Sequence, residues 1–123
     1  MTGKRILVVE DQPITAMDEC NILRDLGYQV TGIALSGEDA VRQADRDRPD
    51  LILMDINLAG PMSGWKAADK IRQGRQIPVV YVTAYGDKEK SRPGTLSMPE
   101  GVGYIVKPYT KNELESEVKR LLG

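Results

Sequence analysis

Three apolar runs, Arg5-Ile6-Leu7-Val8-Val9, Leu51-Ile52-Leu53-Met54 and Pro78-Val79-Val80-Tyr81-Val82, are short and nearly continuous. That pattern fits parallel strands buried on both faces better than half-solvated ones. Weaker strand signals lie at Tyr28 to Ala34 and Tyr104 to Val106. Between the strands, apolar positions recur at helical spacing. One helix opens at Pro13 and closes at Gly27; a second begins at Ser36, with Asp39 three residues on as a capping box, and stops before Pro49. A third is predicted over roughly Gly64 to Gln73. The last starts at Thr110, again with a capping acid at Glu113, and carries Leu114, Val118, Leu121 and Leu122 on one side. Strands alternating with helices imply right-handed crossovers, and so a doubly wound α/β fold with helices on both faces of a parallel sheet.

The alternation fails between Gly86 and Gly103, where a helix should join the fourth and fifth strands. Pro93, Gly94 and Pro99 fall inside the required span. An interior proline costs a helix about 3 kcal/mol and a glycine about 1 kcal/mol, so this fourth helix is predicted to be short or irregular, and the stretch from Lys90 to Gly101 mobile.

Length and charge narrow the possible functions. The 123 residues are expected to form a single domain, Met1 to Gly123. With 17 basic and 18 acidic residues the net charge is −1, so no global field gathers nucleic acid or an anionic membrane. No run reaches the about 18 apolar residues of a membrane span, and Met-Thr-Gly-Lys-Arg leads straight into a strand without a signal-peptide core; a cytoplasmic location is expected. The single cysteine, Cys20, recurs with Ala16, Leu23 and Leu26 at helical spacing and reads as packing. The lone Trp65, opening a helix, reads the same way. The sequence holds no histidine, which removes Ser-His and Cys-His catalysis, most zinc sites and a phosphohistidine carrier.

The remaining chemistry gathers at the carboxyl ends of the strands, where open α/β sheets bind ligands. Glu10 and Asp11 follow the first strand and Asp55 the third; Thr83-Ala84 ends the fourth, and Lys107-Pro108 follows the fifth. Acids after strands also serve as helix caps, but three carboxylates on one edge repel, by about 4 kcal/mol per pair at 4 Å and an effective dielectric of 20. Lys107 offsets one charge. Oxygen-only ligands favour a hard dication, namely Mg²⁺, which also neutralises an incoming phosphoryl group. A carboxylate accepts such a group as an aspartyl phosphate. Asp55 is then the nucleophile, Mg²⁺ and Lys107 clamp the phosphoryl oxygens, and Thr83 donates a hydrogen bond to them.

Through Ile6-Leu7-Val8-Val9-Glu10-Asp11, Leu53-Met54-Asp55-Ile56-Asn57-Leu58, Val82-Thr83-Ala84 and Tyr104-Ile105-Val106-Lys107-Pro108, the sequence resembles the receiver domains of bacterial two-component response regulators over essentially its whole length. The resemblance implies a five-stranded sheet of flavodoxin-like order 2-1-3-4-5. It implies Asp55 as phosphoacceptor, with Asp11 and Asp55 binding the metal directly, Glu10 through water and Asn57 by its backbone carbonyl. Thr83 and Tyr104 match the family's switch pair, Lys107 its phosphate-contacting lysine, and the Lys-Pro bond is expected to be cis. It further implies a sensor histidine kinase or histidine phosphotransfer protein as donor, a separate output protein, and a changed surface around strands 4 and 5 and the last helix. Such a domain assists its own phosphorylation and dephosphorylation without being an enzyme acting on a separate substrate.

Three departures are visible: a loop from Asp55 to Gly64 that looks one residue longer than usual, the bulky Tyr85 at a position that influences phosphoryl lifetime, and the broken fourth helix. Other readings stay open. A haloacid-dehalogenase-type phosphohydrolase wants a second acid two residues after the nucleophile, where Asn57 stands. A flavin or nucleotide binder wants a phosphate cradle after the first strand, where Glu10-Asp11-Gln12-Pro13 is acidic. A receiver that is not phosphorylated is the third, although every expected acid is present.

Overall fold

The computed structural model describes residues 3–84 and 101–123. Its five strands are β1 (Arg5–Val9), β2 (Gln29–Ala34), β3 (Leu51–Asp55), β4 (Val79–Ala84) and β5 (Val102–Lys107). They pair in the order β2-β1-β3-β4-β5, every pairing parallel. Among the described residues four helices accompany them: α1 (Pro13–Asp25), α2 (Gly37–Asp47), α3 (Gly64–Arg72) and α4 (Lys111–Leu122).

Alternation along the central strands builds two cores. Leu7, Val9, Ile52, Met54, Val79 and Tyr81 meet Ala40, Ala44, Ala67, Ala68 and Ile71 of α2 and α3. Ile6, Val8, Leu51, Leu53, Val80 and Val82 meet Ala16, Cys20, Leu23, Leu114 and Val118 of α1 and α4. Every residue of β3 is buried, which accounts for its lack of alternation in hydrophobicity. Cys20 and Trp65 are packing residues: Cys20 lies in the second core, and Trp65 packs on the first.

Local chemistry sets the boundaries. Pro13 occupies the start of α1, and Gly27 takes φ +95° just beyond its end. Thr110 and Glu113 form the complete capping box of α4. The box expected at α2 is one-sided. The Ser36 hydroxyl accepts from the Asp39 amide, but Asp39 turns its shorter carboxylate to Arg42 and Gln43. β5 is longer than its sequence signal because Val102 and Gly103 pair with Val79 and Val80. A side chain at Gly103 would strike Glu117 of α4. Glu117 instead accepts from the Tyr104 amide at 3.0 Å, while Arg120 donates to the Val102 carbonyl at 3.2 Å. The free edge of β5 is thereby partly covered.

The predicted irregular fourth helix, the Lys90–Gly101 stretch apart from Gly101 itself, and Tyr85 lie outside the described residues. Among those described, no helix is long and apolar enough to cross a membrane.

Candidate functional site

Strand parity explains why the polar residues meet. Glu10 lies two residues beyond Val8, Asp55 two beyond Leu53, and Lys107 two beyond Ile105, all on the side of the sheet that faces α1 and α4. Glu10 and Asp55 are buried, at 1% and 7% exposure, and Asp11 and Lys107 are half-buried. One oxygen from each of Glu10, Asp11 and Asp55 lies within 4.8 Å of the other two. Lys107 spans the group, its Nζ 2.9 Å from Glu10 Oε1 and 3.8 Å from Asp55 Oδ2.

Backbone amides orient the acids. The Asn57 N–H donates to Asp55 Oδ1 at 2.9 Å, leaving Oδ2 as the oxygen that faces Lys107. The Gln12 N–H donates to Glu10 Oε2 at 3.1 Å, and the Ala59 N–H to Asp11 Oδ2 at 3.0 Å. The long loop from Asp55 to Gly64 therefore folds back over the acid cluster. Gly64 closes it: its amide donates to the Ile56 carbonyl, and a Cβ there would run into the Asp55 carbonyl. The Lys107-Pro108 bond is cis.

Burial, and behind it the neighbouring charge, alters the proton affinity of Asp55. Burial pushes Asp55 up to about 7; the Asn57 amide and Lys107 oppose this, and the neighbouring Glu10 adds to it. At neutral pH Asp55 is therefore not fully ionised. Burial pulls the Lys107 ammonium down, but its bond to Glu10 and the charges of Asp55, Glu10 and Glu19 outweigh that and raise it.

Tyr104 sits apart from the acids, on the α2/α3 side. Its ring centroid is 5.5 Å from Tyr81 and 5.9 Å from Trp65, which in turn lies 4.2 Å from Tyr81. Thr83, half-buried, ends the same strand two residues past Tyr81 and so shares that side by alternation. Two members of the neighbourhood, Glu19 and Tyr109, give little sign of themselves in the sequence. Glu19 of α1 is 2% exposed and accepts from the Tyr109 hydroxyl at 3.2 Å, 90 residues away in the chain. Its one signal was the i−3 spacing from Ala16 and i+4 spacing to Leu23, which places it on the buried stripe.

The comparisons agree with this geometry. Residues 6–119 match the family model described as the response regulator receiver domain. The transcriptional regulatory protein PdtaR of Mycobacterium tuberculosis is 32% identical over 114 residues, 90% of this chain and 53% of that protein. The phyllosphere-induced regulator PhyR of Methylorubrum extorquens is 34% identical over 118 residues, 95% of this chain and 43% of that one. The chain thus spans about half the length of these relatives. Among solved structures, the receiver domain of the sensor histidine kinase PA1611 from Pseudomonas aeruginosa PAO1, which carries a magnesium ion in its active-site cleft, superposes with a TM-score of 0.81 at 36% identity, covering 98% of each chain. By its strand order, its acidic strand-end cluster and a family match over nearly all its length, the chain belongs to the receiver-domain family of two-component response regulators.

Proposed function

We propose that the chain is a phosphorylation-driven switch in which Asp55 accepts a phosphoryl group from a histidine kinase or histidine phosphotransfer protein. The observation that carries this reading is the Asp55 carboxylate, held at Oδ1 by the Asn57 amide and turned at Oδ2 toward Lys107. In the transfer, the Asp55 Oδ2–phosphorus bond forms as the donor's phosphorus–nitrogen bond breaks. The donor imidazole keeps the electron pair and ends as the neutral ring. Little covalent work falls to the protein, so positioning and charge neutralisation dominate.

Three carboxylates with oxygens this close, and no nitrogen or sulfur ligand among them, fit a hard dication. Asp11, Asp55 and the Asn57 carbonyl would hold Mg²⁺ directly. Glu10, with one oxygen on Lys107 and the other on the Gln12 amide, would act through water. When bound, Mg²⁺ would neutralise charge on the phosphoryl oxygens and on the acids around it. Lys107 would leave Glu10 for a phosphoryl oxygen, and the Thr83 hydroxyl would donate to another. Tyr104, stacked beside Tyr81 and Trp65, would move with Thr83 and change the surface around β4, β5 and α4. On the first turns of α1, Ile14 and Met17 are 77% and 59% exposed, an i,i+3 apolar pair beside Asp11 suited to a donor protein's helix.

The test is chemical location. Borohydride reduction of the protein after treatment with a small acyl phosphate, followed by peptide mapping, is expected to give homoserine at position 55. Reduction at another acid, or at none, would refute the assignment.

A further inference from the structure

Glu19 is an expensive residue where it stands. Its helix face is otherwise apolar, with Ala16, Cys20 and Leu23 buried beside it. One carboxyl oxygen accepts from Tyr109, but Oε1 is buried with no hydrogen-bond partner among the described residues. Burial, reinforced by Glu10 and Asp55 and opposed by Lys107 and Tyr109, pushes the acid up to about 8. A leucine of similar volume would pack there without the desolvation cost. Something other than packing accounts for a carboxyl at this position.

The partner that holds its other oxygen indicates what. Tyr109 is two residues past Lys107, in the short turn that runs from the end of β5 to Thr110, the N-cap of α4. This turn is fixed at its far end by the capping box and at its near end by the β4 pairing of Lys107 with Ala84. The Tyr109 hydroxyl pins the middle to α1, the helix that starts from the acid cluster itself. We propose that Glu19 is a positioning residue for Lys107: acting through Tyr109, it fixes the turn so that the ammonium keeps its reach across Glu10 and Asp55.

The inference rests on the function proposed above, in which Lys107 engages the phosphoryl group while the Asp55 Oδ2–phosphorus bond forms and the donor's bond to phosphorus breaks. It adds a residue on α1 that touches neither phosphoryl nor metal. A purely architectural Glu19–Tyr109 bond would instead influence stability alone.

The experiment measures the rate of Asp55 labelling by phosphoramidate, with saturating Mg²⁺, against donor concentration, alongside the melting temperature of each variant. Glu19→Leu and Tyr109→Phe are expected to lower the maximal rate by a similar factor, about three- to tenfold, without weakening Mg²⁺ binding. Glu19→Leu should do so while melting no lower than wild type, which separates the effect from unfolding. Glu19→Gln, which keeps an acceptor for the tyrosine hydroxyl, should restore most of the rate. In a Lys107→Ala background, neither Glu19→Leu nor Tyr109→Phe should slow labelling further, because both act through the missing lysine. A maximal rate unchanged in Glu19→Leu, or a full additional loss in the Lys107→Ala background, would overturn the positioning role and leave the phosphoacceptor reading intact. A wild-type protein that takes no label would overturn that reading and this inference with it.

Discussion

At the scale of single residues, the site is governed by how few charges it can hold at once. Asp55 and Glu19 are both raised by burial, and Lys107 is shared between two acids. Glu19 gives a pH prediction with a definite sign. Its carboxyl is raised from 4.5 to about 8 on folding, so the folded state holds the proton more tightly than the unfolded one. The penalty is absent below about pH 4.5, grows by about 1.4 kcal/mol per pH unit, and is complete above about pH 8. The charged groups facing Glu19 are Glu10, Asp55 and Lys107, and these and the hydrogen-bonding Tyr109 remain in a Glu19→Gln variant. The difference between the two proteins therefore isolates this one group. Urea unfolding should show the variant gaining on wild type by roughly 2.5 kcal/mol between pH 5.5 and pH 7.5; a constant difference would mean that Glu19 is ionised throughout. The strand-end acids and Lys107 were legible in the sequence because each directly follows a recognisable apolar run. Glu19 was not, since an acid in a helix reads as solvated, and the tyrosine that donates to it lies 90 residues away.

At the scale of elements, the β3–α3 loop and the start of α3 connect the acids to the aromatic group on the other side of the sheet. The loop leaves Asp55, returns over Asp11, and enters α3 at Gly64, one residue before Trp65. Trp65 is the only tryptophan in the sequence and lies 4.2 Å from Tyr81 and 5.9 Å from Tyr104. A rotation of Tyr104 on phosphorylation should change the surroundings of the indole. Adding a beryllofluoride phosphoryl mimic with Mg²⁺ is expected to shift Trp65 emission in wild type and much less in Tyr104→Ala. An equal shift in both would assign the signal to the loop alone. Most element boundaries were readable from caps and breakers: Pro13, Gly27, Ser36 and Thr110 stand where the structure starts or stops its helices. The start of β5 was not, because Val102 and Gly103 become strand through pairing with β4 and through the approach of Glu117, and both are tertiary causes.

At the scale of the whole molecule, the proposed switch would couple ion binding, covalent chemistry and surface change through one sheet edge, so its stability should report on the ligands of that edge. Mg²⁺ that binds only the folded state stabilises it by RT ln(1 + [L]/Kd), about 2.7 kcal/mol at a hundredfold excess over Kd. Wild type is expected to melt higher with Mg²⁺, and Asp11→Ala to lose that response. Without the ion, Asp11→Ala relieves repulsion but forfeits the Ala59 amide bond to Asp11 Oδ2, so its melting point should stay close to wild type. A variant that still responds normally to Mg²⁺ would make Asp11 a loop anchor only. The two-faced core followed from the alternation of runs and helices and the strand order from the resemblance to receiver domains, whereas the aromatic group of Trp65, Tyr81 and Tyr104 needed the register of β4 on β5. The most direct test of the central claim is intact mass after treatment with a small phosphodonor. Wild type should gain one phosphoryl group with Mg²⁺ and none without it, and Asp55→Asn should gain none in either condition. Equal labelling of wild type and Asp55→Asn would contradict the account.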